Sequence, residues 1–584
     1  MSTARRRSGI VVETSGSAVL DAGREGAAAR DPVFFPPPRT GGPRRRGRAR
    51  VGRPASGAEA EAIRGALAAA QMERVDAIPL RTGVAPGAGP RRRGRRGRRG
   101  RRGPADAPLE AAARAVSTVS LDVPLAKQER AVVLLEQDGV YSWHVPAQVA
   151  PAARGRAPDR RRGRAAKRKA GASAGAGARV ARFQLELPAG RPVASRRPGR
   201  ARRRGLASML IGRAMAHVFR FVARPVLKGA VKFLERNVKE GPVHLTGTDP
   251  AAWALLAPTD VLPAGARGAN GAHDAPRVLL LVHGTFSSTI GSFGALAGTD
   301  EGKAFLEAAL EHYDHVVGWN HRTLSVSPAA NARDLLAWWR AQKWKRAPLV
   351  DAVAFSRGGL VLRSLVEDLL PGSSVKAEVR RVVFVGCTNG GTELARPANW
   401  HRLADLHMNL AAAGVRALGG VTGFAAVGLI LSEGIQGVAA LVKLLATSAV
   451  DDDAVPGLSA MNPAGKFVAA INARQPGQPG PKDLYYCAVT SDFDPDEADD
   501  SASATELPPG FLLKLADKGA DALHGKPNDL VVHVDAMIRL DAELGTFLRE
   551  RLDYGTNGIV HHCRYFAEPA TADALARWLQ VGVG

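Results

Sequence analysis

Cysteine is scarce, with three in 584 residues, at Cys387, Cys487 and Cys563. Cysteines so few and so widely spaced cannot form a disulfide framework and have no metal-ligand spacing. No apolar stretch follows the charged start of the chain, so no secretory leader is expected and a reducing, cytoplasmic setting is the simplest expectation. Long apolar runs are few as well. The best, Ala417–Leu431 with Gly434–Ala446, is broken by Arg416, Glu433 and Lys443, which argues against a membrane span. Aromatics make up only 5% of the residues. None interleaves the Arg–Gly runs, where a nucleic-acid tail would use them to stack bases.

Positive charge is abundant, but only in one part of the chain. Residues 1–240 carry 52 Lys and Arg against 18 Asp and Glu, while the remainder carries 29 against 37. The high isoelectric point therefore describes the N-terminal part alone. Residues 1–115 are rich in Arg, Gly, Ala and Pro, with runs at 44–50 and 91–102. Such a composition buries too little apolar surface to offset chain entropy, so a disordered basic region is expected. Nonspecific polyanion binding is the favoured partner reading there, with a dedicated nucleic-acid tail as the sharper rival.

From 116 to 190 the pattern changes to a small β module interrupted by a basic insert at 154–169. Val116-Ser-Thr-Val-Ser-Leu-Asp-Val, Arg130-Ala-Val-Val-Leu-Leu-Glu, Val140-Tyr-Ser-Trp-His-Val and Val180-Ala-Arg-Phe-Gln-Leu-Glu-Leu read as strands. Asp138-Gly139 suits a hairpin turn. Residues 205–240 read as an amphipathic basic helix. Arg220, Arg224, Lys228, Lys232 and Arg236 recur every fourth residue, and Pro225 is expected to kink the helix. Docking on a neighbouring domain is the leading expectation for it, and peripheral membrane contact the competing one.

From about 276 to 584, strands and helices alternate. Strands are expected at 277–282, 315–319, 350–355, 381–386, 484–489 and 559–565, and helices at 301–312, 329–342, 358–370, 397–406 and 570–579. Near-continuous apolar strands separated by amphipathic helices predict an α/β domain with a mainly parallel sheet covered on both faces. The apolar stretch at about 404–450 then reads as a helical cap inserted over the active-site end of that sheet.

Chemistry concentrates around Val350-Asp-Ala-Val-Ala-Phe-Ser-Arg-Gly-Gly-Leu-Val. An apolar strand, a small-x-Ser-x-small turn and a helix form the context of a nucleophile elbow with Ser356 at its tip. The turn leaves the Arg357 N–H free at a helix start. Val-His-Gly-Thr-Phe (282–286) ends another buried strand, and its glycine brings the Thr285 N–H close enough to complete an oxyanion hole. Each such donor is worth about 3 kcal/mol to a developing oxyanion. An acid and then a histidine are expected after the serine. His562 is the chosen base, with His561 as runner-up, and His283 reads as a loop-bracing residue. Asp529, Asp492 and Asp494 all follow late strands and compete as the acid.

Residues 276–582 resemble the α/β-hydrolase superfamily, within it the bacterial triacylglycerol lipases and GPI inositol-deacylase-like esterases. The resemblance rests on residues 282–286 and 354–359 and on Gly386-Cys-Thr-Asn-Gly-Gly-Thr-Glu-Leu-Ala. It also rests on Pro456-Gly-Leu-Ser-Ala-Met-Asn-Pro, Asn528-Asp-Leu-Val-Val and His562-Cys-Arg-Tyr-Phe. It implies an α/β-hydrolase fold and a Ser356–His562–Asp529 triad, ranking Asp529 above its rivals because such lipases take their acid from an Asn-Asp-x-x-Val segment. It implies a serine esterase or lipase acting on ester or lipid substrates without metal or organic cofactor. A scaffold keeping the fold without turnover is the alternative.

Overall fold

A computed structural model describes residues 2–15, 18–20, 63, 65–82, 116–137, 140–151, 179–188, 212–222, 235, 238–263, 275–418, 424–447, 455–473, 484–494, 497, 526–541 and 548–582. The chain divides into two compact units, Met1–Val33 with Gln71–Pro225, and Phe34–Ala70 with Val226–Gly584.

The first unit is antiparallel β. Its strands are β1 (Ser2–Arg5), β2 (Val11–Thr14), β3 (Ala18–Leu20), β4 (Glu73–Thr82), β5 (Val116–Leu125), β6 (Glu129–Gln137), β7 (Val140–His144), β8 (Gln148–Pro151), β9 (Arg179–Pro188) and β10 (Gly212–Val222). They form two five-stranded sheets, ordered β1-β2-β5-β9-β8 and β3-β4-β10-β6-β7. Alternation builds the core. Val119, Leu121 and Val123 of β5 and Phe183, Leu185 and Leu187 of β9 point inward, against Ile78 and Leu80 of β4 and Val218 of β10. Each strand thereby buries one face and solvates the other.

Two expectations fail here. Residues 2–5, 11–14, 18–20 and 73–82 are strands, so part of the span expected to be disordered contributes to both sheets. Their short alternating runs complete a core that they could not build alone. The remainder of 1–115, including the Arg–Gly runs, lies outside the described residues, as does the hairpin tip at 138–139. The expected basic helix at 205–240 contains a strand, Gly212–Val222. Ala214, Ala216 and Val218 have the two-residue period the core needs, and Arg220 pairs with Glu129 at 3.4 Å across the ladder. A four-residue repeat of arginines and lysines is weaker than that burial. Residues 223–234 lie outside the description.

The second unit is built on an eight-stranded sheet. Its strands are β11 (Gly241–Leu245), β12 (Ala254–Leu255), β13 (Arg277–Val282), β14 (His315–Asn320), β15 (Leu349–Phe355), β16 (Glu378–Val385), β17 (Tyr485–Phe493) and β18 (Leu548–Asn557), ordered β12-β11-β14-β13-β15-β16-β17-β18. From β14 to β18 every pairing is parallel, while β11 and β12 are antiparallel additions. The central strands are apolar on both faces because helices cover both. The helices α1 (Asp300–His312) and α6 (Pro569–Leu579) share one core with Leu279 and Val353. The helices α2 (Pro328–Ala341) and α3 (Gly358–Arg363) share the other with Val282 and Ala352. The last strand is β18 rather than 559–565, which forms a loop and a short 3₁₀ turn. As the sheet edge β18 alternates charged and half-buried residues, and it lacks the apolar run that marks central strands.

Between β16 and β17 run α4 (Trp400–Leu418) and α5 (Phe424–Leu445), which pack on each other. Among the described residues no helix is long and apolar enough to cross a membrane.

Candidate active site

Ser356 follows β15 and adopts φ +54°, a left-handed conformation that costs a non-glycine residue roughly 1–2 kcal/mol. Hydrogen bonds hold it there. Its N–H donates to Val385 O (3.1 Å), and its carbonyl accepts from Gly359 N (3.1 Å) and Thr388 N (3.2 Å). The turn demands small neighbours. A Cβ on Gly284 would lie 2.7 Å from Ser356 Cβ, and one on Gly358 would lie 2.2 Å from Val282 O.

Three side chains line up at this turn. Ser356 Oγ lies 3.0 Å from His562 Nε2, and His562 Nδ1 lies 2.8 Å from Asp529 Oδ2. A carboxylate can only accept, so Nδ1 carries the proton and Nε2 is the acceptor facing the serine hydroxyl. Asp529 is completely buried and takes four donors. Oδ1 accepts from Val531 N (3.0 Å) and Val532 N (2.8 Å), while Oδ2 accepts from His562 and from the Tyr565 hydroxyl (3.0 Å). That many donors stabilise a buried anion. The Asn-Asp-Leu-Val-Val segment forms a compact loop. Asn528 Oδ1 accepts from Leu530 N (2.9 Å), and Asp529 O accepts from His562 N (2.9 Å), joining the acid loop to the histidine loop.

The rivals lie elsewhere. Asp492 accepts from Asn528 N (2.9 Å) and Thr556 Oγ1 (2.7 Å), so it anchors the loop that carries Asp529. Asp494 donates its N–H to Asn557 O (2.9 Å) beyond β17. His561 packs on Phe493, with ring centroids 5.8 Å apart. His283 donates from Nδ1 to Gly284 O (2.9 Å), accepts from His321 N at Nε2 (3.1 Å) and stacks on His321 at 4.0 Å. Burial first, with the nearby Arg357 charge, pushes its pKa down to about 3. It is therefore a neutral brace.

The loop after β13 is pinned on both sides of one peptide. Gly284 N donates to Ser292 Oγ (3.5 Å) and Phe286 N to Thr323 Oγ1 (3.2 Å). No hydrogen bond among the described residues uses the N–H of Thr285 or of Arg357, the two donors expected to face a substrate oxygen. The Arg357 side chain is fully buried, donating to Gly457 O (3.3 Å) and Val326 O (2.5 Å), and burial lowers its pKa to about 10. Several contacts were not visible in sequence. Tyr565 stands there at the end of an expected strand, yet its hydroxyl reaches Asp529. The His407 ring of α4 lies 5.0 Å from Phe286 and 6.5 Å from His562. Among the described residues no cluster of His, Cys, Asp or Glu could hold a metal ion.

A mainly parallel sheet with two antiparallel strands at one edge and a serine on a strained strand–helix turn defines an α/β-hydrolase-like fold. The chain belongs to the family described as a domain of unknown function, DUF7379, whose model matches residues 240–580. Residues 36–221 match a second domain of unknown function, DUF7362. No curated protein matches. Among solved structures the chain is similar to Bacillus licheniformis lipase BlEst2, with 16% identity over 55% of this chain and 96% of that one and a TM-score of 0.30. Lipase 1 from Pelosinus fermentans gives 13% over 52% and 99% with 0.34, and EstA from Clostridium botulinum 13% over 61% and 98% with 0.31.

Proposed function

We propose that the second unit is a serine hydrolase that cleaves carboxylic esters through an acyl-enzyme on Ser356. The observation that carries this reading is the continuous Ser356–His562–Asp529 hydrogen-bond line at the tip of a left-handed turn. A serine hydroxyl is too weak an acid to attack unaided, so His562 Nε2 takes its proton as Oγ bonds to the carbonyl carbon. Asp529 holds the Nδ1–H tautomer and stabilises the imidazolium. The Thr285 and Arg357 N–H groups receive the negative charge that develops on the carbonyl oxygen. Collapse of the tetrahedral intermediate breaks the bond to the alcohol oxygen, which leaves with the proton from His562. Water, deprotonated by the same nitrogen, then releases the acid.

In this proposal α4 and α5 form the cap. The contacts of His407 and Gly437 with Phe286 support it, as does the apolar character of Val438, Leu441, Val442 and Leu444. An apolar cap suits lipid esters, with activity rising at an interface as the cap opens. The deciding experiment is labelling with a fluorophosphonate. The wild type should label and Ser356→Ala should not, while a wild-type protein that neither labels nor turns over esters would favour a scaffold.

A further inference from the structure

We propose that Glu235 and Thr323, far apart in sequence and outside the Ser–His–Asp line, position the oxyanion loop. This rests on the esterase reading above. Glu235 precedes β11 and is 3% exposed. Its carboxylate accepts three consecutive backbone N–H groups, from Thr323 (3.0 Å), Leu324 (2.8 Å) and Ser325 (2.6 Å). Successive amides converging on one anion fix the backbone that carries them. The turn after β14 is thus wound around a buried charge rather than merely packed.

That turn meets both halves of the oxyanion pair. Thr323 is 4% exposed, and its hydroxyl accepts the Phe286 N–H. Phe286 is held at φ +54°, so the loop's course depends on its anchors. With the N–H groups of Gly284 and Phe286 both committed, the Thr285 N–H between them is left for a substrate. On the other side, Arg357 donates to Val326 O, the residue after the three amides, and its charge interacts with Glu235. Gly457 closes the arrangement. Its N–H donates to Leu324 O (2.9 Å), and a Cβ there would lie 2.0 Å from Thr323 O. One carboxylate therefore orders the turn that steers Thr285 and balances the side chain of the residue that supplies the second N–H.

The test uses the full chain with p-nitrophenyl butyrate as substrate. Thr323→Val keeps the shape but deletes the acceptor for Phe286 N–H. The expected result is a fall in kcat of about ten- to a hundredfold, KM within about twofold and a fall of only a few degrees in unfolding temperature, because the Phe286 N–H loses its acceptor and the transition-state oxyanion loses a well-aimed donor. Thr323→Ser, which restores the hydroxyl, should recover most of the rate. Glu235→Gln, which keeps the size but loses charge and one acceptor oxygen, should lower kcat at least as far. A wild-type kcat in Thr323→Val, or a loss that Thr323→Ser leaves in place, overturns the positioning role while the esterase stands. If Glu235→Gln fails to fold, the Thr323 pair decides alone. A wild type without turnover or fluorophosphonate labelling removes the esterase reading and this inference with it.

Discussion

Asp529 shows how much of the site depends on single atoms. Its Oδ2 is shared between His562 and Tyr565, so the acid is held from two sides. Tyr565→Phe should leave the fold intact and lower kcat several-fold, because Asp529 loses one of four donors but keeps the histidine. A rate equal to wild type in steady-state assays would show the phenol to be mere packing. Ser356→Ala and His562→Ala should each abolish turnover, with little added loss in the double variant, since members of such a unit are non-additive. The Ser356–His562–Asp529 line of the proposed triad was legible in the sequence because each residue sits in a short motif with a distinctive backbone shape. Tyr565, Thr323 and Glu235 were illegible for the opposite reason. Tyr565 reaches a side-chain carboxylate, and Thr323 and Glu235 reach backbone N–H groups, all distant in sequence, and no local pattern records that.

The elements were readable wherever burial on both faces wrote a continuous apolar run. Strands β13, β14, β15 and β17 begin within a residue or so of their expected positions for that reason. Reading failed at the sheet edge, where β18 alternates exposed Arg549, Arg551 and Asp553 with half-buried partners, and at β10, where a repeat of basic residues starting at Arg220 imitated a helix. The helix α5 provides a test at this scale. Gly437 faces the loop after β13, and a Cβ there would lie 2.9 Å from Phe286 Cδ1 and 3.0 Å from Phe286 Cα. Gly437→Ala gains about 1 kcal/mol of helix propensity but pushes on a strained residue. Stability should therefore hold or rise while kcat/KM falls several-fold. Unchanged kcat/KM in a folded variant would show that α5 does not bear on the loop.

At the scale of the molecule, His283, His321 and His561 are buried neutral in the second unit and His407 is half-buried. Burial pushes His283, His407 and His561 down to about 3 and His321 well below its usual value. Unfolded, each titrates near 6.5. The folded pKa lies below the unfolded one, so this stability is complete above pH 6.5 and is lost as pH falls from there toward about 3. Thermal unfolding at pH 5 should take up more than one proton, measurable by calorimetry in buffers of different ionisation enthalpy. Zero uptake would contradict the buried neutral histidines. Deleting residues 1–115 is a second whole-molecule test. The composition argues for a harmless loss, but the deletion removes β1 to β4 from two sheets, so the β unit should become protease-sensitive. The residues of the second unit are also far apart along the chain. The backbone carbonyl of Ala70, beside the helical residues 65–69, accepts a hydrogen bond from Lys443, 373 positions later. At about 5–20 residues per second of synthesis, that carbonyl waits roughly 20–75 seconds for its partner. Buried Ile63, Ala66 and Leu67 stand just before it. For that interval the nascent chain carries an apolar segment whose native partner has not yet been made.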